Sequence, residues 1–466
     1  MTHVARKARS TVSRRPVRLL STPSADLLRF GTDGVRGVAL TELTTDYVQC
    51  LGIAAAQVLD GGTWLIGRDT RESGELLESA LTVGLHAQGQ TVQSCGVLPT
   101  PALAFLSARR GVPAAMITAS HNPYSDNGVK IFAVGGLKLT DDVEASIEAS
   151  LEVVLADDPV APASNATADV VVDAVTEYVQ HVVSLFPAGC LAGVRVVLDC
   201  ANGAMSVAGP AAVAALGADV IVMHATPNGT NINADCGATH PASLVHAVLE
   251  HGAHAGLAFD GDGDRVIAVD NEGHIVDGDR LIALAALQLQ AEGRLSGNAV
   301  VVTVMSNLGF HRAMQAAGIA VVATAVGDRY VLEALDAGGY AIGGEQSGHV
   351  IYRDLATTGD GLLAGLRLLH HTHSSHRSLA EMSRDVMTAF PQVLVNVRVA
   401  DRHPDIAIEL ANELAHAEAA LGGEGRVLLR ASGTEPLVRV MVEAATDAVA
   451  HDVANGLADI VRARFS

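Results

Sequence analysis

Hydrophobic residues along the chain form short continuous runs rich in β-branched side chains, and these runs alternate with longer stretches rich in Ala and Leu. Residues 194–198 and 219–223 are two such runs, and the Ala-rich stretch 207–216 between them predicts a helix. The same order of run, turn and helical stretch recurs at 63–71 and at 300–324. Short apolar runs of this kind are typical of parallel strands that are covered on both faces. The pattern therefore predicts repeated β-α-β units.

The C-terminal part of the chain has a different pattern. Residues 393–399 predict a strand and 405–420 a helix, while 426–429 and 438–443 predict a hairpin that precedes a last helix. A length of 466 residues suggests about three domains. The separate α+β pattern raises the prediction to four, with residues 155–170 as a linker rich in Ala, Asp, Pro and Ser.

The net charge limits the classes of molecule that the chain is expected to bind. The chain has a formal net charge of −20, which argues against nucleic acid and anionic membranes as general partners, because both need a broad basic face. No run approaches the roughly 18 apolar residues that a membrane helix requires. A small anionic substrate remains compatible, since a few arginines in a cleft suffice to bind it.

Cysteine usage and the N-terminus bear on the compartment. The five cysteines lie far apart without a CxxC pair, which favours unpaired thiols in a reducing compartment and predicts a cytoplasmic protein. Residues 1–26 are basic and contain no apolar segment typical of a secretory signal. A disordered extension or an upstream start site is the favoured interpretation of this stretch, with an organellar transit peptide as the alternative.

An acidic, Gly-rich motif follows the apolar run 256–259. Asp260, Asp262 and Asp264 are separated by single glycines and followed by Arg265. Carboxylates at this spacing can converge on one hard cation. A calcium EF-hand is excluded, because the positions that need Gly and Glu hold Arg265 and Asn271. An aspartyl-nucleophile phosphatase and a solvated acidic turn stay open as alternatives.

A second motif, TASHNP at 118–123, ends another apolar run and presents Ser120 at the end of a predicted strand. Pro123 stands where a capping box needs Glu or Gln, and the Gly-x-Ser-x-Gly pattern of many hydrolases is absent. The local pattern leaves a nucleophile and an ordinary turn serine equally open.

Lysine is rare in this chain. Only Lys7, Lys130 and Lys138 occur among 31 basic residues. Lysine can transfer a proton whereas arginine in practice cannot, so Lys130, ten residues after Ser120, is a candidate for chemistry. Lys138 is interpreted as a surface residue.

Three further Gly-rich loops carry polar side chains suited to a phosphorylated, hydroxyl-rich ligand. None has the Gly-Lys-Ser/Thr of a Walker A loop, and each taken alone is equally compatible with a plain surface turn. Their candidate residues are Arg36 in 30–37; Glu345, Ser347 and His349 in 343–349; and Arg430, Ser432, Gly433, Thr434 and Arg439 in 430–439.

These motifs, taken in order, resemble the α-D-phosphohexomutase superfamily, and most closely its bacterial phosphoglucosamine mutases. The resemblance rests on FGTDGVRG at 30–37, TASHNP at 118–123, DGDGDR at 260–265, GEQSGH at 344–349, TTGDG at 357–361 and SGTEPLVR at 432–439. Gln346, where phosphomannomutases usually carry Met, and the stretch 231–241 favour the glucosamine branch. Ala238 and Ala431 depart from the usual Ser and Lys of the family.

The resemblance implies an α/β fold, with three related α/β domains of mixed sheets and a C-terminal α+β domain around a central active-site cleft. The domain boundaries that we predict are an extension at 1–26, an α/β domain with the phosphoserine loop at 27–165 and one with the metal loop at 166–270. An α/β domain with the sugar-binding loop at 271–378 and the phosphate-binding domain at 379–466 complete the chain.

The resemblance also implies a mechanism. Ser120 is expected to be phosphorylated in the active enzyme, and one Mg²⁺ to be held by that phosphoserine with Asp260, Asp262 and Asp264. Phosphoryl transfer would convert glucosamine 6-phosphate into glucosamine 1,6-bisphosphate, an intermediate and activator, and then into glucosamine 1-phosphate. This reaction would feed the synthesis of UDP-N-acetylglucosamine and cell-wall precursors.

Roles carried over from the family complete the expected site. Lys130 and His349 are expected to be proton-transfer or electrophilic groups, with Arg36 and Arg265 on the moving phosphate. Glu345 and Ser347 are expected on the sugar hydroxyls, and the loop residues Arg430, Ser432, Gly433, Thr434 and Arg439 on the other phosphate. A phosphomannomutase or phosphoglucomutase and a non-catalytic sugar-phosphate sensor are the alternatives. A homodimer and a kinase that first phosphorylates Ser120 stay open.

Overall fold

The computed structural model describes residues 28–31, 33–59, 61–156, 167–432 and 436–465. The predicted N-terminal extension, most of the predicted linker and two candidate phosphate ligands, Gly433 and Thr434, lie outside the described residues. Within them, no helix is both long and apolar enough to span a membrane.

The first unit is built on a seven-stranded mixed sheet in the order β1-β5-β4-β2-β3-β7, with β6 paired to β5. Its strands are β1 (Val35–Val38), β2 (Thr63–Arg68), β3 (Thr91–Val97), β4 (Ala114–Ile117), β5 (Asp126–Ala133), β6 (Leu137–Lys138) and β7 (Asp169–Val170). Its helices are α1 (Thr45–Val58), α2 (Gly74–Ala87), α3 (Thr100–Arg110) and α4 (Asp141–Ala156). Strand β2 runs parallel to β3 and β4, whereas β5 is antiparallel to β4.

The second unit has the strand order β12-β11-β10-β8-β9. It comprises α5 (Ala174–Ser184), β8 (Arg195–Asp199), α6 (Met205–Ala215), β9 (Asp219–Met223), α7 (Ala242–Glu250), β10 (Ala255–Phe259), β11 (Val266–Asp270) and β12 (Ile275–Val276). The parallel pairs β8/β9 and β8/β10 confirm the predicted β-α-β unit. Strands β8, β10 and β11 are almost fully buried, whereas β9 is an edge strand and stays half-exposed.

The third unit repeats this plan with the strand order β14-β13-β15-β16. It comprises α8 (Gly278–Ala291), β13 (Ala299–Thr303), α9 (Leu308–Ala316), β14 (Ala320–Thr324), α10 (Asp328–Gly338), β15 (Ile342–Gly344), β16 (Val350–Tyr352), α11 (Gly361–Ser374) and α12 (Leu379–Val386). Strands β13 and β14 are parallel, as the sequence predicts.

The C-terminal unit is a three-stranded antiparallel sheet with helices. It comprises β17 (Gln392–Arg398), α13 (Ile406–Glu409), α14 (Ala411–Ala420), β18 (Gly425–Ala431), β19 (Leu437–Ala444) and α15 (Asp447–Phe465). The predicted hairpin is confirmed as β18 and β19, with β17 on the other side of β19. The helix predicted over 405–420 is interrupted at Leu410, whose φ of −114° and ψ of 27° are not helical and whose side chain is fully buried.

Packing joins the three α/β units. One continuous hydrophobic core includes Leu65 of the first sheet, Leu198 of the second and Val300 of the third, while the C-terminal unit has a core of its own. The predicted fold class, three α/β units with mixed sheets and a C-terminal α+β unit, is confirmed. Strands β7 and β12 lie beyond the boundaries we predict, pairing with the first and second sheets respectively.

Candidate active site

Ser120 lies where the first two units meet. The strands β4 and β10 end immediately before the serine loop and the acidic loop, and the Ser120 hydroxyl donates to Asp260 Oδ2 over 2.6 Å. Ser120 is fully buried and has a φ of 53°, which is uncommon for a residue other than Gly. A Cβ at Gly261 would lie 2.7 Å from the Ser120 carbonyl oxygen, so glycine lets the two loops approach.

A polar clamp holds the serine loop in this conformation. The Arg71 guanidinium donates to the carbonyl oxygens of Ser120 and Asn122 over 2.9 Å each, and also to those of Pro123 and Asp126. Asn233 Nδ2 from the second unit donates to the Ser120 carbonyl oxygen over 2.9 Å.

Arg71 is itself oriented by Asp69, 2.9 Å away, and both side chains are fully buried. Arg71 and Asn233 were not predicted from the sequence. The signal that could have identified Arg71 is its position just after a strand, because loops at the carboxyl ends of strands commonly form binding sites.

The three aspartates of the acidic loop converge on one point. Each offers a carboxylate oxygen within 4.8 Å of the others, and all three are buried. Asp262 Oδ2 accepts from Thr100 Oγ1 over 2.6 Å and from Lys130 Nζ over 2.8 Å, while Asp264 Oδ2 accepts from Lys130 over 2.9 Å.

The Oδ1 atoms of Asp262 and Asp264 are buried and accept no hydrogen bond from the described part of the chain. One oxygen of each carboxylate is thus held by hydrogen bonds, while the other accepts none from the described residues. This arrangement fits a hard divalent cation.

Lys130 lies at the centre of a charged cluster. Its ammonium contacts Asp33 Oδ2 at 2.7 Å as well as Asp262 and Asp264, and its side chain is only 4% exposed. Burial alone would lower its pKa, but these carboxylates hold the pKa of Lys130 well above its usual value. Asp33 also pairs with Arg36, which is one of the predicted site residues.

Lys138 is mostly buried and ion-paired, so its interpretation as a surface residue is wrong. Its ammonium lies 2.7 Å from Asp33 Oδ1 and also contacts Asp328 Oδ2, and its side chain is 12% exposed. The local sequence carries no signal of this contact, because Asp328 belongs to the third unit, 190 positions away from Lys138.

His349 completes a ring of charges. Its Nε2 lies 3.4 Å from Asp328 Oδ2, and its Nδ1 lies 3.7 Å from Asp264 Oδ1. A Cβ at Gly359 would overlap the imidazole, so the TTGDG loop can pack on His349 only with glycine there. Burial disfavours the charged imidazole, but Asp264 and Asp328 outweigh it and raise the pKa of His349.

The carboxylates of the acidic loop differ in their preference for a proton. Burial, reinforced by the charges of Asp264 and Asp262, holds the pKa of Asp260 well above its usual value. Burial acts in the same direction on Asp264, but Lys130 and His349 overcome it and hold the pKa of Asp264 well below its usual value. A hydrogen-bonded Ser120–Asp260 pair therefore adjoins an ionised Asp264.

Two arginines lie close enough to the serine loop to act on His121. Burial together with the charges of Arg265 and Arg36 lowers the pKa of His121 to about 4, so this neighbour of Ser120 is neutral at pH 7. The Arg265 backbone N–H donates to Asp260 Oδ1 over 3.2 Å, and its side chain is 20% exposed.

The predicted sugar and phosphate residues lie on the third and fourth units. Glu345 Oε1 accepts from the Gly327 N–H over 3.0 Å, and Ser347 Oγ lies 3.4 Å from Glu345 Oε2. Arg430 and Arg439 face each other in the register of β18 and β19, and neither pairs with a carboxylate of the described residues. Burial and the Arg439 charge lower the pKa of Arg430, while the Glu345 charge acts against them.

Ser432 follows β18 and donates its backbone N–H to the Leu437 carbonyl oxygen over 2.7 Å. Direct contacts thus join Ser120, the acidic loop, Lys130 and His349, while the arginine pair lies on the C-terminal sheet.

Comparison with family models identifies all four units. Residues 27–155, 176–273 and 277–390 match the models described as phosphoglucomutase/phosphomannomutase alpha/beta/alpha domains I, II and III. Residues 394–460 match the phosphoglucomutase/phosphomannomutase C-terminal domain.

Curated relatives and solved structures agree with these matches. Phosphoglucosamine mutases of Frankia casuarinae and Rhodococcus jostii are 52% and 50% identical over 449 and 440 residues, covering 93% of this chain and 98% of each relative. A phosphoglucomutase/phosphomannomutase family protein from Burkholderia thailandensis has a TM-score of 0.76 at 24% identity, covering 93% of this chain and 97% of its own.

The Aspergillus fumigatus N-acetylphosphoglucosamine mutase, solved with GlcNAc-6P and magnesium, has a TM-score of 0.68 at 19% identity and covers 95% and 97%. The resemblance and the enzyme class inferred from the motifs are confirmed. The chain therefore belongs to the phosphoglucomutase/phosphomannomutase family, and within it groups with the phosphoglucosamine mutases.

Proposed function

We propose that the chain interconverts glucosamine 6-phosphate and glucosamine 1-phosphate, with Ser120 as the residue that carries the transferred phosphoryl group. The observation that carries this proposal is the contact between the Ser120 hydroxyl and the acidic loop, in a chain about 50% identical to phosphoglucosamine mutases. The product would feed the synthesis of UDP-N-acetylglucosamine and cell-wall precursors.

The reaction proceeds by two phosphoryl transfers. The bond between phosphorus and Ser120 Oγ breaks as a sugar hydroxyl oxygen bonds to phosphorus, which forms glucosamine 1,6-bisphosphate. The bisphosphate turns over within the site and returns its other phosphoryl group to Ser120. Catalysis of such a transfer depends on aligning the entering and leaving oxygens and on balancing charge on the phosphoryl oxygens.

The residues around Ser120 supply that charge balance. Arg36 and Arg265 contact the moving phosphoryl group, and Lys130, held protonated by its carboxylate neighbours, acts as an electrophile. His349 exchanges the proton of the reacting sugar hydroxyl, and its ring is oriented by the Gly359 N–H, which donates to Nε2 over 3.1 Å, between the carboxylates of Asp264 and Asp328.

Asp260, Asp262 and Asp264, together with phosphorylated Ser120, would hold one Mg²⁺. The Oδ1 atoms of Asp262 and Asp264, which accept no hydrogen bond from the described residues, support this assignment. When bound, the ion stabilises negative charge on the transferring group.

Recognition of the remainder of the substrate lies on the other two units. Glu345 and Ser347 bind sugar hydroxyls. Arg430, Ser432, Gly433, Thr434 and Arg439 hold the phosphate that does not react. The bisphosphate binds in two opposite orientations. Its recognition therefore depends on this fixed set of phosphate ligands, the phosphate clamp, and on sugar-hydroxyl contacts that can form in either orientation.

Domain division and cellular context complete the proposal. We propose domains at 27–165, 166–270, 271–378 and 379–466, a cytoplasmic location, a homodimer and a kinase for the first phosphorylation of Ser120.

Replacing the proposed phosphoryl carrier tests the function directly. Ser120→Ala is expected to lower kcat by roughly 10⁴-fold or more, since removing a nucleophile eliminates the covalent route. Ser125→Ala, an exposed serine of the same loop, is the matched control and should keep full activity. Turnover of Ser120→Ala at the parent rate would contradict the assignment.

Substrate competition separates the alternatives. Glucosamine, glucose and mannose 6-phosphates are compared by kcat/KM on the parent enzyme. Glucosamine phosphate is expected to have the highest value. A preference for mannose or glucose phosphate would favour the alternative mutases, and binding without turnover of any of them would favour a sensor.

A further inference from the structure

Three side chains of different chemical type meet at the carboxyl edge of the second sheet, outside the site described above. Asp199 is the last residue of β8, His224 follows β9 directly, and Cys236 lies in the segment 231–241. One potential ligand atom of each lies within 4.8 Å of the other two. Asp199 and Cys236 are buried, and the His224 side chain is 30% exposed.

The ligand atoms of this cluster lie close together, but His224 Nδ1 and Asp199 Oδ1 do not form a hydrogen bond with each other. His224 Nδ1 lies 3.1 Å from Asp199 Oδ1, yet it is buried and forms no hydrogen bond with the described residues. The separation suits a hydrogen bond, but the direction does not. A nitrogen and an oxygen that are 3.1 Å apart without a hydrogen bond between them can both bind one metal ion.

Hydrogen bonds from neighbouring groups hold Asp199 and Cys236 in place. The Ala201 and Gly237 backbone N–H groups donate to Asp199 Oδ1 and Oδ2, each over 2.9 Å, and each oxygen retains a lone pair. Asn202 Nδ2 lies 3.9 Å from Cys236 Sγ as a weak donor. Such outer contacts orient the ligands of metal sites.

We propose that Asp199, His224 and Cys236 bind a divalent transition metal ion of the Zn²⁺ type, separate from the cation of the acidic loop. A thiolate, an imidazole and a carboxylate form a ligand set that Zn²⁺ accepts and Mg²⁺, which requires oxygen ligands, does not. A water molecule would complete the four ligands that Zn²⁺ prefers.

Binding of the ion couples to loss of the thiol proton. Burial and the charges of Asp199 and Asp235 raise the pKa of Cys236 to about 12, so the thiol ionises at neutral pH only beside a cation. The sulfur–metal bond forms as the proton leaves to solvent, and no oxidation or reduction takes place.

The position of the cluster gives the ion a structural role. It joins the ends of β8 and β9 to the segment 231–241, and Asn233 of that segment donates to the carbonyl oxygens of Ser120 and Asn122 over 2.9 and 3.0 Å. The bound ion therefore stabilises the part of the second unit that supports the serine loop.

Cobalt titration of the full-length protein tests the site, with excess Mg²⁺ present to occupy the acidic loop. Co²⁺ is expected to produce a thiolate-to-cobalt charge-transfer band that saturates at one equivalent and disappears when Zn²⁺ is added. Failure to form this band at stoichiometric Co²⁺ would overturn the proposal.

Ligand variants distinguish this site from adventitious binding. His224→Asn is the sharpest variant, because the φ of His224 is 48° and Asn tolerates that conformation. It should weaken Co²⁺ binding by roughly tenfold or more, as loss of a metal contact does. Cys236→Ser should eliminate the charge-transfer band, whereas Cys190→Ser, a control at a distant half-buried cysteine, should retain it.

A thermal measurement provides an independent readout. Zn²⁺ should raise the Tm of the parent protein and of Cys190→Ser, and at the same Zn²⁺ concentration should raise the Tm of His224→Asn clearly less. An equal rise in all three proteins would place the ion elsewhere and overturn the proposal.

Discussion

At the scale of single residues, charge around the candidate site is arranged as a closed ring rather than as separate pairs. Lys130 and Lys138 both contact Asp33, Lys138 contacts Asp328, and His349 lies between Asp328 and Asp264. Acidic and basic groups alternate around this ring, and its members come from three different units. Each buried charge is therefore compensated only while the units keep their relative positions.

Lys138→Met tests the ring. The substitution keeps a flexible apolar side chain but leaves Asp33 and Asp328 without their shared cation, and breaking a buried pair costs about 3 kcal/mol or more. Because His349 and Lys130 then lose fixed neighbours, we expect kcat to fall at least tenfold while KM changes less. Steady-state kinetics and a thermal melt measure both effects.

The exposed pair of Arg377 with Asp385 provides a control for Lys138→Met. Arg377→Met should change neither kcat nor Tm appreciably, since surface pairs contribute about 0–1 kcal/mol. A Lys138→Met enzyme with the parent kcat would show that the ring has no part in positioning His349.

Local sequence named candidate site residues but not their partners. The three aspartates stand in a motif whose spacing indicates a cation site, whereas Ser120 and His349 became candidates for specific roles only through the resemblance of all the motifs together. The sequence did not predict roles for Arg71, Asn233 and Asp328, because each acts through a contact with a residue far away in the chain. Asp328, for example, is 190 positions from Lys138. Burial of Lys138 follows from packing between units, which no local pattern encodes.

At the scale of elements, the start of α8 contains a carboxyl group in an unfavourable environment. Asp279 is fully buried near the first turn, and its Oδ2 accepts from the Asn307 N–H over 2.7 Å. Burial, with a contribution from the charge of Asp277, raises the pKa of Asp279 to about 7. The folded protein therefore binds a proton there at pH values at which the unfolded chain, with an ordinary pKa of 3.8, does not.

Asp279→Asn tests how much stability the protein loses when this buried carboxyl group ionises. The protonated carboxyl contributes stability that is complete below pH 4 and is lost as the pH rises toward 7, on the order of 4 kcal/mol at most. The amide is neutral throughout and still offers an oxygen to Asn307. We expect the Tm of Asp279→Asn relative to the parent to increase between pH 5 and pH 8. A difference that stays constant would contradict the pKa shift.

Strands and helices were predicted correctly where the hydrophobic pattern directly indicates which residues are buried. The strand runs at 194–198 and 219–223 and the C-terminal hairpin are present nearly as predicted. The helix over 405–420 failed at Leu410 because its fully buried side chain and non-helical backbone reflect packing in the C-terminal core. The half-exposed edges β9 and β14 could not be recognised, since position within a sheet depends on strand order rather than on composition.

At the scale of the whole molecule, the C-terminal unit is joined to the third unit by buried polar contacts. Glu443 of β19 is fully buried and accepts from the Leu308 N–H over 2.9 Å. Arg426 Nε donates to the same carboxylate over 2.6 Å. Asn307 exchanges two 2.9 Å hydrogen bonds with the backbone of Phe390. The strand that carries Glu443 also carries Arg439, so these contacts set where the proposed phosphate clamp lies.

Glu443→Gln should loosen this connection while leaving Ser120 and the acidic loop untouched. Arg426 loses its buried counter-charge, and the clamp is held less precisely against the other units. We expect KM for glucosamine 6-phosphate to rise about tenfold with kcat within about threefold of the parent, in a protein that still melts cooperatively. Arg312→Ala, which removes the exposed contact with Glu424 between the same units, is the control and should raise KM far less. A fall in kcat at constant KM would mean instead that the C-terminal unit acts on the chemical step rather than on the binding of the phosphate.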